Sequence, residues 1–483
     1  GMAKEQGQPI IVWLRHDLRL DDNPALAHAA GSGRPVIPLF ILADANAPVR
    51  PYGSAHKWWL HHSLKELSAS FGKLGSRLVL RRGDAFAVLE DILSKSGATA
   101  VYINRRYGPE ASRVDGKLES RFKGVDIQCF EAALLHDPDQ VKTGSGGYYK
   151  VYTPFMKSVT AGLHSYRHPI DPPSGLAAPE HFPLSESLDT WGLLPTNPNW
   201  AKGFQSEWTP GETGAQERLS HFCHELLAGY EEGRNKPSED LTSRLSPHLH
   251  FGEVSALRAL TTAEETAHRR KSIPDNDRQT FRRELIWRDF NHHLLYHFQK
   301  LATDNFNNRF NALKWRDASG DLKAWQTGRT GYPIVDAGMR QLWQMGWVHN
   351  RVRMIVGSFL TKDLLIDWRE GEAWFWDTLV DGDEANNTSQ WQWIAGTGAD
   401  AQPFFRIFNP IKQSQDFDPE GDYIRSFVPE LSKLPATAIH APWEADDATL
   451  DEAGVTLGET YPRPIVDHKQ ARDRANAAFQ ATR

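Results

Sequence analysis

The chain has 483 residues, enough for two or three domains with a substantial core. Its 55 Lys and Arg against 61 Asp and Glu leave a net charge of −6, so the chain as a whole is not a basic nucleic-acid binder and any DNA site must be a local patch. Cys129 and Cys223 make neither a disulfide framework nor a zinc site. That cysteine usage suits a reducing cytosol; no apolar run is long enough to span a membrane and no signal-peptide pattern opens the chain.

Residues 9–130 alternate short apolar runs with helical periods. Ile10 to Leu14 reads as a buried strand, and Asn23 caps a helix that opens at Pro24. Val36 to Leu42 is a second strand and Ser54 to Leu74 a long amphipathic helix. Leu78 to Leu80, Phe86 to Leu93 and Val101 to Ile103 continue the strand–helix–strand order. That order predicts an α/β, doubly wound parallel sheet with right-handed crossovers. No Gly-x-Gly-x-x-Gly follows the first strand, which excludes an ordinary dinucleotide site. Gly144 to Gly147 reads as a turn. The charged stretch Arg15 to Pro24 reads as a loop at the carboxyl end of the first strand.

Residues 131–213 are rich in Pro, Gly, Ser and His and read as a long linker over the surface, with Tyr148 to Val159 as one ordered segment. From Gly214 the pattern is helical to about Leu379. The expected organisation is an α/β domain over 1–130, a linker over 131–213 and an all-α domain over 214–483.

The polar motifs fall in the helical part. Thr242-Ser-Arg-Leu-Ser-Pro247 places hydroxyls and an arginine at a helix start, which is either an anion site or simple capping. Glu284, Trp287 and Arg288 share one helical face. They could hold a stacked pyrimidine and its phosphates, or form a solvated face with a core tryptophan. Asn350 and Met354 lie one turn apart, and Arg353 can pair with Asp381. Asp381 to Trp393 gathers Asp381, Asp383, Asn386, Asn387, Trp391 and Trp393. Carboxylates and carboxamides suit a heterocycle that alternates N–H and C=O groups, and indoles supply stacking faces; the plainer alternative is a polar loop before a core helix. His248 and His250 lack a further metal-ligand partner, so no metal is assigned.

The order of Thr330 to Leu342, Gly346 to Met354, Phe359 to Gly371 and Asp381 to Trp393 resembles the flavin domain of the photolyase/cryptochrome family. The likeness is dense from about Tyr230 onward, and Arg15 to Pro24 resembles the family's opening signature. The resemblance is to the bacterial branch nearest the plant cryptochromes (class III). It implies flavin-adenine dinucleotide (FAD) as cofactor, with Tyr230, Thr242, Ser243, Arg244, Leu245, Ser246, Asn350, Arg353, Asp381, Asp383 and Asn387 on it. Asn387 would face flavin N5. Trp391, Trp368 and Trp315 match the family's electron-hopping chain, with Trp374 and Trp376 as a candidate side branch.

The same resemblance implies light-driven repair of cyclobutane pyrimidine dimers in UV-damaged DNA, by electron transfer from excited, fully reduced FAD to a flipped-out dimer. Glu284, Trp287, Asn350, Met354 and Trp393 would line the dimer pocket, with Glu284 catalytic, and Arg234, Arg288 and Arg351 would meet phosphates. Relatives that repair (6-4) photoproducts carry histidines at the positions of Asn350 and Met354, which argues for cyclobutane dimers. Plant cryptochromes carry Asp at the Asn387 position and lack tryptophans matching Trp287 and Trp393, which favours repair over the rival reading, a blue-light receptor with a protein partner. The tail after Pro464 is short, so no long signalling extension is expected. The N-terminal domain is expected to carry an antenna chromophore, methenyltetrahydrofolate first. The folate pattern around Tyr107-Gly-Pro-Glu110 is only partly kept. A monomer in the bacterial cytosol, acting on the nucleoid, completes the expectation.

Overall fold

The structure is a computed structural model and describes residues 7–44, 49–162 and 166–483. It divides into two compact units, one of residues 1–228 and 243–299, the other of residues 229–242 and 300–483.

The first unit is built on five parallel strands, β1 (Ile10–Leu14), β2 (Val36–Leu42), β3 (Val79–Arg82), β4 (Ala100–Asn104) and β5 (Asp126–Phe130), in the order β3-β2-β1-β4-β5. Helices α1 (Pro24–Gly31), α2 (Ser54–Lys73) and α3 (Ala85–Ser96) make the first crossovers, and α4 (Pro109–Gly116) and α5 (Leu118–Arg121) join β4 to β5. β1 is buried along its whole length as a central strand of a sheet covered on its faces; Ile10 pairs with Val36 on one side and Ala100 on the other. Ile11, Trp13, Ile37, Leu39, Val79, Ile92 and Val101 fill the core on one face. Asn23 caps α1 as expected, its side chain accepting from the Leu26 N–H at 3.1 Å. β3 begins one residue later than expected. β5 has no apolar run to reveal it, because an edge strand leaves most of its residues exposed.

The opening signature is structural. Asp17 accepts from the Arg15 backbone N–H at 2.7 Å and from the Asn104 amide at 2.7 Å, tying the end of β1 to the end of β4. Buried Arg19 donates to the carbonyls of Asp22, Gly252 and Ala132. A Cβ on Gly252, at φ +70°, would sit 2.0 Å from the His16 carbonyl oxygen, so only glycine fits there.

The 131–213 segment lies over this unit and donates little regular structure beyond α6 (Tyr152–Thr160). Ala177 accepts from the Val36 N–H and Leu80 from that of Glu186, so it is pinned to the sheet by backbone bonds. Thr143 to Gly147 forms the expected turn, with a Thr143 N–H to Gly147 C=O bond of 2.9 Å. The unit is completed by α7 (Ser246–His250), α8 (Ala256–Arg269) and the 23-residue α9 (Asp275–His297).

The second unit is helical. It contains α10 (Ser319–Gln326), α11 (Pro333–Met345), α12 (Asn350–Ser358), α13 (Trp368–Thr378) and α14 (Glu384–Ala395) around one large core that includes Trp325, Trp368, Phe375 and Trp391, and α15 (His468–Gln480), which packs on a smaller cluster with Phe310, Leu365 and Phe404. Among the described residues, no helix is long and apolar enough to cross a membrane.

Two predictions concern the second unit. A Cβ at Gly371 would lie 2.2 Å from the Trp391 ring, whereas one at Gly320 in α10 meets nothing within 4 Å. Gly371→Ala should therefore destabilise by about 1–3 kcal/mol. Gly320→Ala should stabilise by up to about 1 kcal/mol. Thermal unfolding of both variants checks the contrast, and a higher Tm for Gly371→Ala would contradict it.

His349 caps α12 by accepting from the Arg351 N–H at 3.2 Å. Burial holds its imidazole down to about 4, with the Arg351 and Arg353 charges adding to the shift. The unfolded chain then binds a proton near pH 6.5 that the folded chain refuses until about pH 4, so this contribution to stability is present above pH 6.5 and lost on acidification. Between pH 7 and pH 5 the loss is about 2 kcal/mol. His349→Asn keeps a capping oxygen without the titration, so its Tm should fall less over that interval; an equal fall in both proteins would rule this out.

Candidate functional site

In the second unit, Asp381, Asp383, Asn387 and Trp391 are set on α14 or on the turn that starts it, and Arg353 pairs with that turn. Arg353, on α12, meets Asp381 with Nη2 to Oδ2 at 2.8 Å, and its Nε donates to the Val348 carbonyl at 2.7 Å. Both partners are largely shielded from water, with 13% and 3% of their side chains exposed, so this is not a weak surface pair. Asp383 caps α14: one carboxylate oxygen accepts from the Asn386 N–H at 2.9 Å and the other from the Asn386 amide at 2.6 Å.

Asn387 follows one turn after the cap and is buried. Its amide nitrogen donates to both the main-chain carbonyl and the carboxylate of Glu372, each at 3.1 Å. With both amide hydrogens so used, Asn387 offers a carbonyl oxygen, an acceptor for a ring N–H. Glu372 was not singled out from sequence. The signal available was its place one turn after Trp368 on a helix facing the asparagines, which only becomes meaningful once α13 and α14 are known to pack.

Trp391 is buried edge-on to Phe375 (4.9 Å, 77°) and Trp325 (5.9 Å, 72°). Trp368 is fully buried and its indole N–H donates to the Asn305 side chain at 2.8 Å. Trp315 is half-buried and packs against the same core. The three expected electron-chain residues thus belong to or pack against one hydrophobic cluster, with Trp391 and Trp368 buried and Trp315 partly exposed. Trp374 stacks on the exposed Trp343 (6.1 Å, 7°).

Tyr230 is buried, while Thr242 and Arg234 are partly so. Asn350 is exposed at the start of α12, and Met354 and Trp393 are half-buried. Arg351 is held by the Asn235 side chain at 2.7 Å and lies over the Phe417 ring.

In the first unit, Ser243 to Ser246 form a tight turn into the short helix α7. Arg244 takes a left-handed conformation at φ +52°. Its guanidinium pairs with Glu207 at 3.0 Å and lies over Trp208, so it is directed to a carboxylate and an indole. The Ser243 carbonyl accepts from Arg218 at 2.9 Å, and Ser246 is exposed. Glu284, Trp287 and Arg288 do stand on one helix, α9, all partly exposed. Arg288 donates to the Ala133 carbonyl at 2.8 Å, an engagement with the main chain that sequence spacing did not suggest.

The carboxyl ends of the strands carry a second group of polar and aromatic side chains. The strand order reverses between β1 and β4, the place where such sheets open a crevice. His16 follows β1, Arg106 follows β4, and Tyr52 and His56 belong to the approach and first turn of α2. The His16 Nε2 and the Tyr52 hydroxyl lie 3.0 Å apart, and His250 packs on both His16 and His56. Burial drives His56 down to about 3 and His250 well below its usual range, so both rings are neutral at pH 7. Burial also lowers Arg106 to about 10. Of these residues only His16 and His250 lay in motifs noted from sequence; the rest converge from distant segments.

Among the described residues, no group of three His, Cys, Asp or Glu side chains is placed to hold a metal ion.

Residues 281–481 match the family described as the FAD binding domain of DNA photolyase, and residues 10–174 match DNA photolyase. The chain is 53% identical over 477 residues to the deoxyribodipyrimidine photo-lyase of Agrobacterium fabrum, with 98% of each chain covered. It is 35% identical over 481 residues to cryptochrome-1 of Arabidopsis thaliana, covering 97% of this chain and 70% of that one. The crystal structure of a bacterial class III photolyase from Agrobacterium tumefaciens matches with a TM-score of 0.95 at 53% identity, over 99% of this chain and 98% of that one. The chain belongs to the photolyase/cryptochrome family.

Proposed function

We propose that this protein is a deoxyribodipyrimidine photolyase that repairs cyclobutane pyrimidine dimers in UV-damaged DNA with light. What carries the reading is the arrangement on α14, where a pinned carboxamide, a buried ion pair and a buried tryptophan stand together, in a chain like a photolyase over its full length. The donor set fits FAD: a neutral acceptor at Asn387, a fixed positive charge at Arg353 and carboxylates at Asp381 and Asp383. Tyr230, Thr242, Ser243, Arg244, Leu245, Ser246 and Asn350 are assigned to the rest of the cofactor, the hydroxyls toward its phosphates. When bound and fully reduced, FAD supplies on excitation the electron that opens the cyclobutane ring and takes it back afterwards, so there is no net redox change.

The protein positions and polarises the substrate. The dimer flips out of the stack, which is cheaper at a damaged site, against Trp287, Trp393, Met354 and Asn350. Glu284 would hydrogen-bond the electron-rich dimer, a role in which only the protonated carboxyl can donate, and Arg234, Arg288 and Arg351 bind flanking phosphates. Trp391, Trp368 and Trp315 are assigned as the residues that would relay an electron inward to an oxidised flavin. Residues 1–130 form the antenna domain, 131–213 the linker and 214–483 the catalytic domain. The histidine- and tyrosine-lined crevice at the strand ends is assigned to the antenna, with methenyltetrahydrofolate as the ligand. The protein acts as a monomer in the bacterial cytosol.

The reduced protein, mixed with an oligothymidine containing cyclobutane dimers and illuminated with blue light, should restore thymine absorbance. No recovery with reduced FAD bound would favour the photoreceptor reading, to which the likeness with cryptochrome-1 lends some support. In the same assay Glu284→Gln, which can still donate, should retain most of the repair yield, and Glu284→Ala should lose roughly tenfold. Equal yields would remove the role. Trp391→Phe should stop photoreduction of the oxidised protein and spare repair after chemical reduction; normal photoreduction would point to another route.

A further inference from the structure

The ordered piece of the long linker packs onto the helix that carries the proposed dimer-binding tryptophan. Tyr152, Phe155 and Val159 are the buried residues of α6, spaced for one helical face. Phe155 and Tyr152 both pack on Phe290 of α9 (5.2 and 5.9 Å). One turn back on α9, the Tyr152 ring lies flat on Trp287, with centroids 3.8 Å apart and planes 5° from parallel. The Tyr152 hydroxyl donates to the Arg283 carbonyl at 3.3 Å. In an α-helix that carbonyl also accepts the N–H of Trp287 four residues on, so the phenol is anchored to the turn that bears the indole. Phe290 touches Trp287 at a tilt, 5.8 Å away. Tyr152 is 7% exposed while Trp287 remains partly exposed, so the stack covers one indole face with a buried ring and leaves part of the indole accessible.

We propose that Tyr152 is a positioning residue for damage recognition, which fixes the plane of Trp287 by stacking on one of its faces so that the indole receives the flipped-out pyrimidine without first being ordered. The inference rests on the repair reading of Trp287. A long aromatic side chain on an unsupported helix face would lose rotamer freedom on binding its ligand; an indole already held flat has lost it beforehand. The role requires the flat ring of Tyr152 and not its hydroxyl, and it acts only through Trp287.

Binding of the full-length, FAD-loaded protein would be measured by fluorescence anisotropy to two oligonucleotides, identical except that one holds a single cyclobutane thymine dimer. Tyr152→Leu, which fills the volume without a plane, should lower the ratio of damaged to undamaged affinity roughly three- to tenfold and leave undamaged binding unchanged. Tyr152→Phe should stay within about twofold of wild type, since the stack survives. In a Trp287→Ala background, Tyr152→Leu should cause no further loss. If the leucine variant does not retain FAD, Tyr152→Met replaces it, with the same outcomes required. Wild-type selectivity in the Leu or Met variant, or an equal additional loss without Trp287, would overturn the inference alone. A wild-type protein that does not prefer the damaged oligonucleotide would overturn the repair reading and this inference with it.

Discussion

The Arg353–Asp381 ion pair is the constraint on which the second unit's site depends. It joins α12 to the turn that starts α14, and that turn does the rest. The Val380 N–H donates to the Gly346 carbonyl at 2.7 Å, the Asp383 N–H to the Asp381 carbonyl at 3.0 Å, and the Asp383 side chain then caps the helix. The direction in which α14 leaves the turn sets where Asn387, Trp391 and Trp393 stand. Shielded as it is, the pair is costly to break from one side, because the remaining charge would be left without compensation in a poor solvent. A surface pair of the same composition could not hold a helix start with comparable firmness.

The aromatic cluster is held by polar anchors as much as by packing. Gln392, fully buried beside Trp391, donates to the carbonyls of Leu301 and Asp304 and accepts from the Phe306 N–H and the Thr397 hydroxyl. All its hydrogen-bonding capacity is used, which is the condition under which a buried carboxamide stabilises instead of costing free energy. The 301–306 segment it fixes includes Asn305, whose side chain holds the indole of Trp368. Gly371 completes the arrangement by leaving room for the Trp391 ring. One helix therefore sets both a tryptophan and the loop that orients the next one.

In the first unit, chemistry-rich residues divide into two kinds. Arg15, Asp17, Arg19 and Asn104 are engaged with each other or with main chain and serve to tie the strand ends. Tyr52, His16, His56 and His250 stand in a group whose histidines His56 and His250 are neutral through burial. The segment over 131–213, irregular for most of its length, contributes backbone bonds to the sheet and one aromatic helix to α9. Its low periodicity reflects that it wraps an existing surface; it has no two-sided core of its own to pattern.

Local physics was legible in the chain. Strand runs of five to seven apolar residues, a capping Asn before Pro24 and a turn at Gly144 to Gly147 depend on near neighbours, and each appears where expected. The order of motifs carried the family, and the Arg353–Asp381 pair was expected as well. What only the tertiary structure decided are the contacts whose partners lie far apart in sequence. β5 is polar because it is an edge. Glu372 orients Asn387 from another helix, Arg244 and Arg288 turn to Glu207 and to the Ala133 carbonyl, and Tyr152 lies flat on Trp287 across 135 positions. Periodicity reports which face of an element is apolar, but the identity of the side chain opposite depends on how elements pack, and that is a property of the whole fold.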